Sequence, residues 1–223
     1  MVSPHLFLRC FRSVVALVAL AMSAPAQADP LVFDETWQER RFFLTRGNTY
    51  LFDGDSLGVV SRDSISLAYR VLPPELWELR QVSWDWAVSQ SVPVTDLAQK
   101  GGDDRNLSIY FVFMDRDTAE KAGDNPKLRR LFRNRKARLL VYSWGGDYPR
   151  MQVMGSPYID ARAQFIMLRP AGEGSFSERI DLASDYETVF GGAPEVLVGI
   201  AISADSDDTN SAVRAEIRNL TLR

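Results

Sequence analysis

The sequence predicts an all-β protein, an antiparallel β-sandwich or jelly roll with one or two short helices. Two features of the sequence support this prediction. Apolar and polar residues alternate with a period of two in most readable segments, as in strands that bury one face. Gly, Pro, Asp or Asn bounds each of these segments. Many short strands separated by turn residues are typical of sandwiches and jelly rolls.

The predicted strands follow one another along the chain. In the first, SISLAYRV, the residues Ile65, Leu67, Tyr69 and Val71 alternate with polar or small residues, which predicts a half-buried strand. Six later segments show a similar pattern: LRQVSWDWAV, LSIYFVFM, RLLVYSW, AQFIMLR, VLVGIAIS and VRAEIRNLTL.

Two helices interrupt this series. In SDYETVFGG, Ser184 with Glu187 three residues later predicts a capping box, and Gly191 is placed to end the helix. The second predicted helix covers about residues 117–135 and is broken by Gly123 and the Asn125-Pro126 pair. Its second half carries Leu128, Leu131 and Phe132 on one face. We interpret it as an insertion over one edge of the sheet.

The first residues have the pattern of a secretory signal. Two arginines precede an apolar run over residues 14–22, and Ala26 and Ala28 are spaced for cleavage. The sequence thus predicts a signal peptide over residues 1–28, cleaved after Ala28, and a single sandwich domain over residues 29–223. We expect a periplasmic or secreted protein, with an uncleaved anchor as the alternative. No later segment is apolar for long enough to span a membrane.

Cleavage would remove the one histidine, His5, and the one cysteine, Cys10. Thiol catalysis, Ser-His-Asp chemistry and histidine-ligated metals are then excluded from the mature domain. Removing Arg9 and Arg12 from the 26 basic residues leaves 24 against 29 acidic ones, a net charge of −5. Nucleic acid is therefore not an expected partner, because its binding needs a positively charged face.

The segment ISADSDDTNSA concentrates oxygen atoms between two predicted strands. Asp205, Asp207 and Asp208 lie within four positions, and Thr209 and Asn210 follow at once. Calcium prefers oxygen ligands of this kind, so these three aspartates are the predicted metal ligands and calcium the one predicted cofactor. The alternative is a hairpin turn, shaped by Asp and Asn side chains that bond to their own backbone.

The motif KGGDD places two adjacent carboxylates after two glycines. In a loop, Asp103 and Asp104 could converge on a ligand, or act as acid and base with a partner such as Asp205, as in glycoside cleavage. They could instead cap a strand, or pair with Lys100 or Arg179.

Four aromatic residues share strand faces in pairs. Trp84 and Trp86 point the same way on one strand, and Tyr142 and Trp144 do so on another. On an exposed concave sheet they would form a platform for sugar rings, whereas in a closed sandwich they would be core.

Seven basic residues lie between positions 127 and 138. They are interpreted either as a solvated outer face or as a surface for anionic headgroups or acidic polysaccharide.

Five motifs occur in order along the chain: VSWDWAV, KGGDD before IYFVF, VYSW, RIDLASDYETVFG and GIAISADSDDTNSAVRAEI. Together, from about residue 37 to the end, they resemble the bacterial family known as domain of unknown function 3047. The resemblance implies an exported protein without an established activity. The chain has Ser108 where the family often has an arginine. The positions that carry over are Trp84, Trp86, Lys100, Asp103, Asp104, Tyr142, Trp144, Arg179, Asp185, Tyr186, Asp205, Asp207 and Thr209.

These observations predict a binding module for a glycan or another component of the cell envelope. A carboxylate-dependent, carbohydrate-active hydrolase is the first alternative, and it requires carboxyl groups from distant segments to meet in a cleft. A non-catalytic envelope assembly protein is the second, and it requires a large exposed apolar or basic patch. The predicted ligand-binding residues are Trp84, Trp86, Lys100, Asp103, Asp104, Tyr142, Trp144 and Arg179.

Overall fold

Two β-sheets face each other in the computed structural model, which describes residues 30–122 and 135–223. The all-β sandwich is therefore confirmed. The first sheet has seven strands, in the spatial order β1 (Gln38–Arg41), β4 (Ser66–Val71), β11 (Val196–Asp205), β6 (Arg105–Met114), β7 (Arg138–Trp144), β9 (Ala163–Arg169) and β8 (Val153–Gly155). The second has five, in the order β10 (Gly174–Asp181), β5 (Gln81–Gln90), β12 (Ala212–Leu222), β3 (Ser56–Arg62) and β2 (Thr49–Asp53).

Strand pairing is antiparallel except between β7 and β9, which run parallel. Parallel neighbours need a connection long enough to return the chain to the same end of the sheet. Residues 145–162 provide it, and on the way they form β8, which pairs antiparallel with the outer edge of β9.

In the described part of the chain, two α-helices and one 3₁₀ turn (Pro74–Leu76) accompany the strands. The helix α1 covers Arg116–Ala122 and α2 covers Leu182–Phe190. The predicted end of α2 is confirmed, since Gly191 follows it with φ of 77°. The predicted capping box is wrong: Asp181 caps α2 by accepting the backbone N–H groups of Ala183 and Ser184, both at 3.0 Å. An aspartate in front of the helix is as good a cap as a serine, and it places Ser184 inside the first turn.

The other predicted helix is described only in part. Helix α1 covers the beginning of residues 117–135, and residues 123–134 lie outside the described part of the chain. Among the helices of the described residues, none is both apolar enough and long enough to cross a membrane.

The four aromatic residues of the predicted platform lie between the two sheets. Trp86 and Trp144 are 5.4 Å apart between ring centroids, and Trp84 and Tyr142 are 6.0 Å apart. Each is at most 1% exposed. Their role as an exposed stacking surface is therefore wrong, because the faces that they share are the inner faces of β5 and β7, which pack against each other.

The seven-stranded sheet is buried on both faces at its centre, and β6 and β11 are buried along their whole length. The half-buried pattern predicted for SISLAYRV is also wrong, because Ser66 and Ala68 are as buried as Leu67. The segment after β1 covers this strand: the N–H of Ile65 donates to Arg46 at 3.0 Å, and the N–H of Asn48 donates to the Ser66 hydroxyl at 2.9 Å.

Truncating Trp144 to alanine should lower the free energy of unfolding by about 3–5 kcal/mol, because the cavity would lie in the aromatic core between the sheets. Phe43→Ala is the control, since Phe43 is 89% exposed and its loss should change stability by less than about 0.5 kcal/mol. Urea denaturation of both variants measures this difference. Equal stabilities would contradict the inward orientation of Trp144.

Candidate functional site

A cleft of about 780 Å³ lies over the seven-stranded sheet. Tyr110, Val141 and Phe165 form part of its floor and are direct neighbours across β6, β7 and β9. Because side chains alternate along a strand and Tyr142 points into the core, Val141 points to the opposite face. The cleft therefore occupies the face of this sheet that is turned away from the five-stranded sheet.

Aromatic side chains border the cleft on two opposite sides. Phe42 comes from the segment after β1, at one edge of the sheet, and Tyr158 from the segment between β8 and β9, at the other. Tyr158 is 59% exposed, its hydroxyl accepts the N–H of Gly101 at 3.1 Å, and the Lys100 ammonium lies 5.6 Å from its ring centroid. The predicted Lys100 thus lies at the rim.

Arg105 is the centre of the polar end of the cleft. Its Nη1 lies 3.0 Å from Asp103 Oδ2 and 3.0 Å from Asp205 Oδ2. Its Nε donates to the Ser108 hydroxyl and its Nη2 to the Tyr110 hydroxyl, each at 3.0 Å. Burial opposes the charge, but Tyr110, Asp205 and Asp103 raise the pKa of Arg105 above its usual value. The guanidinium is therefore charged and fixed in position.

An irregularity in strand pairing turns Arg105 toward the cleft. Asp205 pairs with Arg105 and Ser203 with Ser108, so three steps along β6 match two along β11. In a regular strand Arg105 would share the core face with Leu107. The extra residue reverses the alternation and puts Arg105 on the face of Ser108.

Close backbone packing supports the same arrangement. A Cβ atom at Gly145, the residue after β7, would lie 2.7 Å from the Cβ and 3.0 Å from the Cα of Arg105. Only glycine allows the two segments to approach this closely.

The two adjacent aspartates of KGGDD have separate roles. Asp103 binds Arg105 in the cleft, whereas Asp104 is fully buried and accepts the N–H groups of Asp208 at 3.2 Å and Thr209 at 2.8 Å, together with the Thr209 hydroxyl. In return, the N–H of Asp103 donates to Asp208 Oδ2 at 3.2 Å. Residues 101–104 and 205–210 are thus bound directly to each other.

The segment 205–210 is a turn, but not a hairpin. It joins β11 of the seven-stranded sheet to β12 of the five-stranded sheet, which are not hydrogen-bonded neighbours. Asn210 adopts a left-handed conformation with φ of 51°, and the Ser206 hydroxyl bonds to that of Ser61 at 2.7 Å. The segment therefore connects the two layers through a bend at Asn210, whereas the hairpin interpretation placed both strands in one sheet.

The surroundings of Asp205 and Asp208 shift the pKa of each carboxyl group upward. Asp205 is 2% exposed, and within the described residues its Oδ1 has no hydrogen-bond partner. Burial raises the pKa of Asp205 well above its usual value, Arg105 lowers it, and Asp103 and Asp207 raise it. Burial, with the charges of Asp103, Asp104 and Asp207, raises the pKa of Asp208 to about 6, against the lowering effect of the Asp103 N–H.

The predicted metal ligands are only partly brought together. Carboxylate oxygens of Asp104, Asp207 and Asp208 lie within 4.8 Å of one another. One carboxylate oxygen of Asp205 is turned to Arg105, and Asp104 takes the place of Asp205 in the group. Bound calcium stays a prediction.

Other predicted residues lie elsewhere. Trp84, Trp86, Tyr142 and Trp144 are core, and the Tyr142 hydroxyl donates to Asp185 at 2.7 Å. Arg179 is exposed on β10 and pairs with Ser83, so it lies on the five-stranded sheet and does not line the cleft. Its predicted place in the site is wrong.

Of the basic stretch, residues 127–134 lie outside the described part of the chain. Arg135, Lys136 and Arg138 border a groove of about 600 Å³ that Asp115 and Glu195 also line. Charges of both signs are therefore mixed along it.

Sequence reasoning missed Arg105 and Tyr158. Arg105 follows directly on KGGDD, and the juxtaposition of two acids and a base at the start of a strand was an available signal. Tyr158 stands between Pro157 and Ile159 in a segment without a strand pattern, so nothing local marked it.

A family model described as "Protein of unknown function (DUF3047)" matches residues 35–221. Comparison with curated protein sequences gives no significant match.

Several solved structures have a similar arrangement of strands. One is the family 11 carbohydrate-binding module of the cellulosomal cellulase Lic26A-Cel5E of Clostridium thermocellum, with a TM-score of 0.43 and 10% identity over 89% of this chain and 95% of that one. Another is the xyloglucanase domain of NopAA, a type three effector from Sinorhizobium fredii. Its TM-score is 0.43 and its sequence identity 9%, over 90% of this chain and 99% of that one. A variant of the Cel12A cellulase of Rhodothermus marinus has a TM-score of 0.41 and 12% sequence identity, over 84% of this chain and 96% of that one. At this level of similarity neither ligand nor activity transfers to this chain.

Replacing Arg105 by methionine should lower the free energy of unfolding at pH 7 by about 3–5 kcal/mol, because it leaves two carboxylates without their buried partner. The deficit should shrink as the pH is lowered toward 4: without Arg105 the raised pKa of Asp205 rises further, and protonation removes the unpaired charge. Arg179→Met, at an exposed arginine, is the control and should change stability by less than about 0.5 kcal/mol. Urea titrations across this pH range would disprove the role of Arg105 if both variants behaved alike.

Proposed function

The chain belongs to the DUF3047 family, and we propose that it is a carbohydrate-binding protein whose ligand lies in the cleft over the seven-stranded sheet. The observation that supports this proposal is the combination of aromatic rims with a fixed polar end in one open cleft. Its volume of about 780 Å³ falls within the range of about 300–1,000 Å³ usual for small-molecule sites.

The chemistry of the lining suits a sugar. A pyranose ring has apolar C–H faces that pack on aromatic rings, and Phe42, Tyr158 and Phe165 offer such rings. Its hydroxyl groups donate hydrogen bonds, and ionised carboxylates are acceptors only. Asp103 and Asp205 present their carboxyl groups in a position that Arg105 fixes, so little ordering is needed when the ligand binds.

The charge of the residues that line the cleft indicates which class of sugar it would bind. Five aspartates line the cleft against three arginines, Arg40, Arg105 and Arg162, and Arg105 is already bound to two of the aspartates. This excess of negative charge favours neutral or amino sugars over uronic acids or phosphorylated glycans.

A glycan array followed by titration calorimetry tests the proposal. We expect binding to neutral or amino oligosaccharides, and Tyr158→Ala should weaken it by about tenfold, the loss of one aromatic contact. Phe52→Ala removes a partly exposed aromatic side chain that does not line the cleft, so it is the matched control and should bind normally. An array without binders, or equal affinities of the two variants, would refute this site.

Glycoside hydrolysis is the second candidate, and one observation favours it. Carboxyl groups from two distant segments, those of Asp103 and Asp205, meet at the same nitrogen of Arg105. Burial shifts the pKa of Asp205 upward, which is the direction that a general acid requires, although Arg105 acts against it. Release of reducing ends from any glycan that binds would establish hydrolysis, and its loss in Asp205→Asn with binding retained would assign the acid. Binding without release leaves a binding module.

We also propose that the protein is exported with cleavage after Ala28. Expression of the full chain in a bacterial host, fractionation and N-terminal sequencing test this. A mature protein that begins at Asp29 outside the cytoplasm is the expected result, and Ala26→Arg combined with Ala28→Arg should block cleavage. A cytoplasmic chain with its first residues intact would contradict export.

A further inference from the structure

We propose a calcium site between residues 101–104 and 205–210, formed by the carboxylates of Asp104, Asp207 and Asp208 with that of Asp205 beside them. The site adjoins the proposed sugar contacts and shares Asp205 with them, but its existence does not depend on sugar binding.

The spacing of the three carboxylates fits one ion. Calcium binds oxygen ligands at about 2.3–2.6 Å, so two oxygens on the same ion can be no more than about 5 Å apart. The oxygens of Asp104, Asp207 and Asp208 lie within 4.8 Å of one another, although they come from two segments about a hundred residues apart in sequence.

Asp205 provides an independent observation. Its Oδ1 is buried and has no hydrogen-bond partner in residues 30–122 or 135–223. A buried oxygen without a partner costs about 1–3 kcal/mol, and more for an ionised group. Asp205 lines the cleft together with Asp207 and Asp208, two and three residues further along the chain. A cation held by the three-carboxylate group would therefore be close to this unpartnered oxygen.

Within residues 30–122 and 135–223, the ion pairs at this end of the cleft do not balance its negative charge. Five carboxylates meet there, and the guanidinium of Arg105 pairs with Asp103 and Asp205. For Asp104, Asp207 and Asp208, the described part of the chain supplies no arginine or lysine as an ion-pair partner. Their negative charges repel one another, since the carboxylate oxygens lie within 4.8 Å of one another. A bound divalent cation would remove this repulsion.

The surrounding backbone holds the ligands in place. Asp104 accepts N–H groups from the turn that carries Asp208, and the N–H of Asp103 donates back to Asp208. An ion here would fasten the segment with Asp103 to the segment with Asp205, and so stabilise the polar end of the cleft. Calcium suits ligands on loops better than magnesium, which requires a nearly ideal octahedron.

The test uses the whole protein, treated with a chelator and then titrated. We expect calorimetry to give one Ca²⁺ per chain, and the unfolding temperature to rise by about 5–10 °C at a hundredfold excess over the dissociation constant. Mg²⁺ should act more weakly, and NaCl at the same ionic strength should have no such effect. No heat and no shift with millimolar Ca²⁺, or an equal shift with NaCl, would overturn the proposal.

Two double variants test where the ion binds. Asp207→Asn combined with Asp208→Asn should lose the calcium heat and the thermal shift while still folding, since Asp207 is half-buried and Asp208 is exposed. Asp53→Asn combined with Asp55→Asn removes the same charge at two exposed aspartates near the turn between β2 and β3 and should respond as the unaltered protein does. Asp104→Asn is a poorer first choice because it weakens the turn itself. Calcium binding retained in the first double variant would also overturn the proposal.

Discussion

The buried guanidinium of Arg105 is the interaction on which the cleft depends. Removing a charge from water is costly, and the cost is offset here by Asp103, Asp205 and the hydroxyls of Ser108 and Tyr110. The network joins the start of β6 to the end of β11. It is possible because the irregular pairing of these strands turns Arg105 outward and because Gly145 leaves room for its backbone. A stabilising network and a preorganised polar site are thus the same group of atoms.

The seven-stranded sheet serves two purposes on its two faces. Its inner face carries Tyr142 and Trp144, which pack against Trp84 and Trp86 and stabilise the sandwich. Its outer face carries Val141 and Phe165, which form the floor of the cleft. Because neighbouring residues of one strand belong to the core and to the site, the geometry of the site is held by the most buried part of the fold.

The sequence predicted the layers well and the site only in part. Alternation and turn residues identify strands and their shared faces, which is why Trp84 with Trp86 and Tyr142 with Trp144 were paired correctly. Alternation does not show which face of a strand is buried, and the prediction of an exposed aromatic platform was therefore wrong. The sequence does not indicate that Arg105 faces the cleft, because the extra residue in β6 reverses the alternation of side chains on which the prediction depends. Asp104 takes the place predicted for Asp205 in the carboxylate group, and Asp205 contacts Arg105 instead. The sequence does not show this, because only the pairing of two distant segments decides which carboxylate faces Arg105.

The family match and the cleft provide different kinds of information. Membership in a family of unknown function defines the chain without assigning a ligand, while the cleft supplies aromatic rims, fixed acceptors and an excess of negative charge. The most direct test of the account is a crystal structure of the protein with a bound oligosaccharide. The account predicts sugar rings between Tyr158 and the Asp103–Arg105–Asp205 network. A sugar bound instead on the five-stranded sheet, beside Arg179, would contradict it.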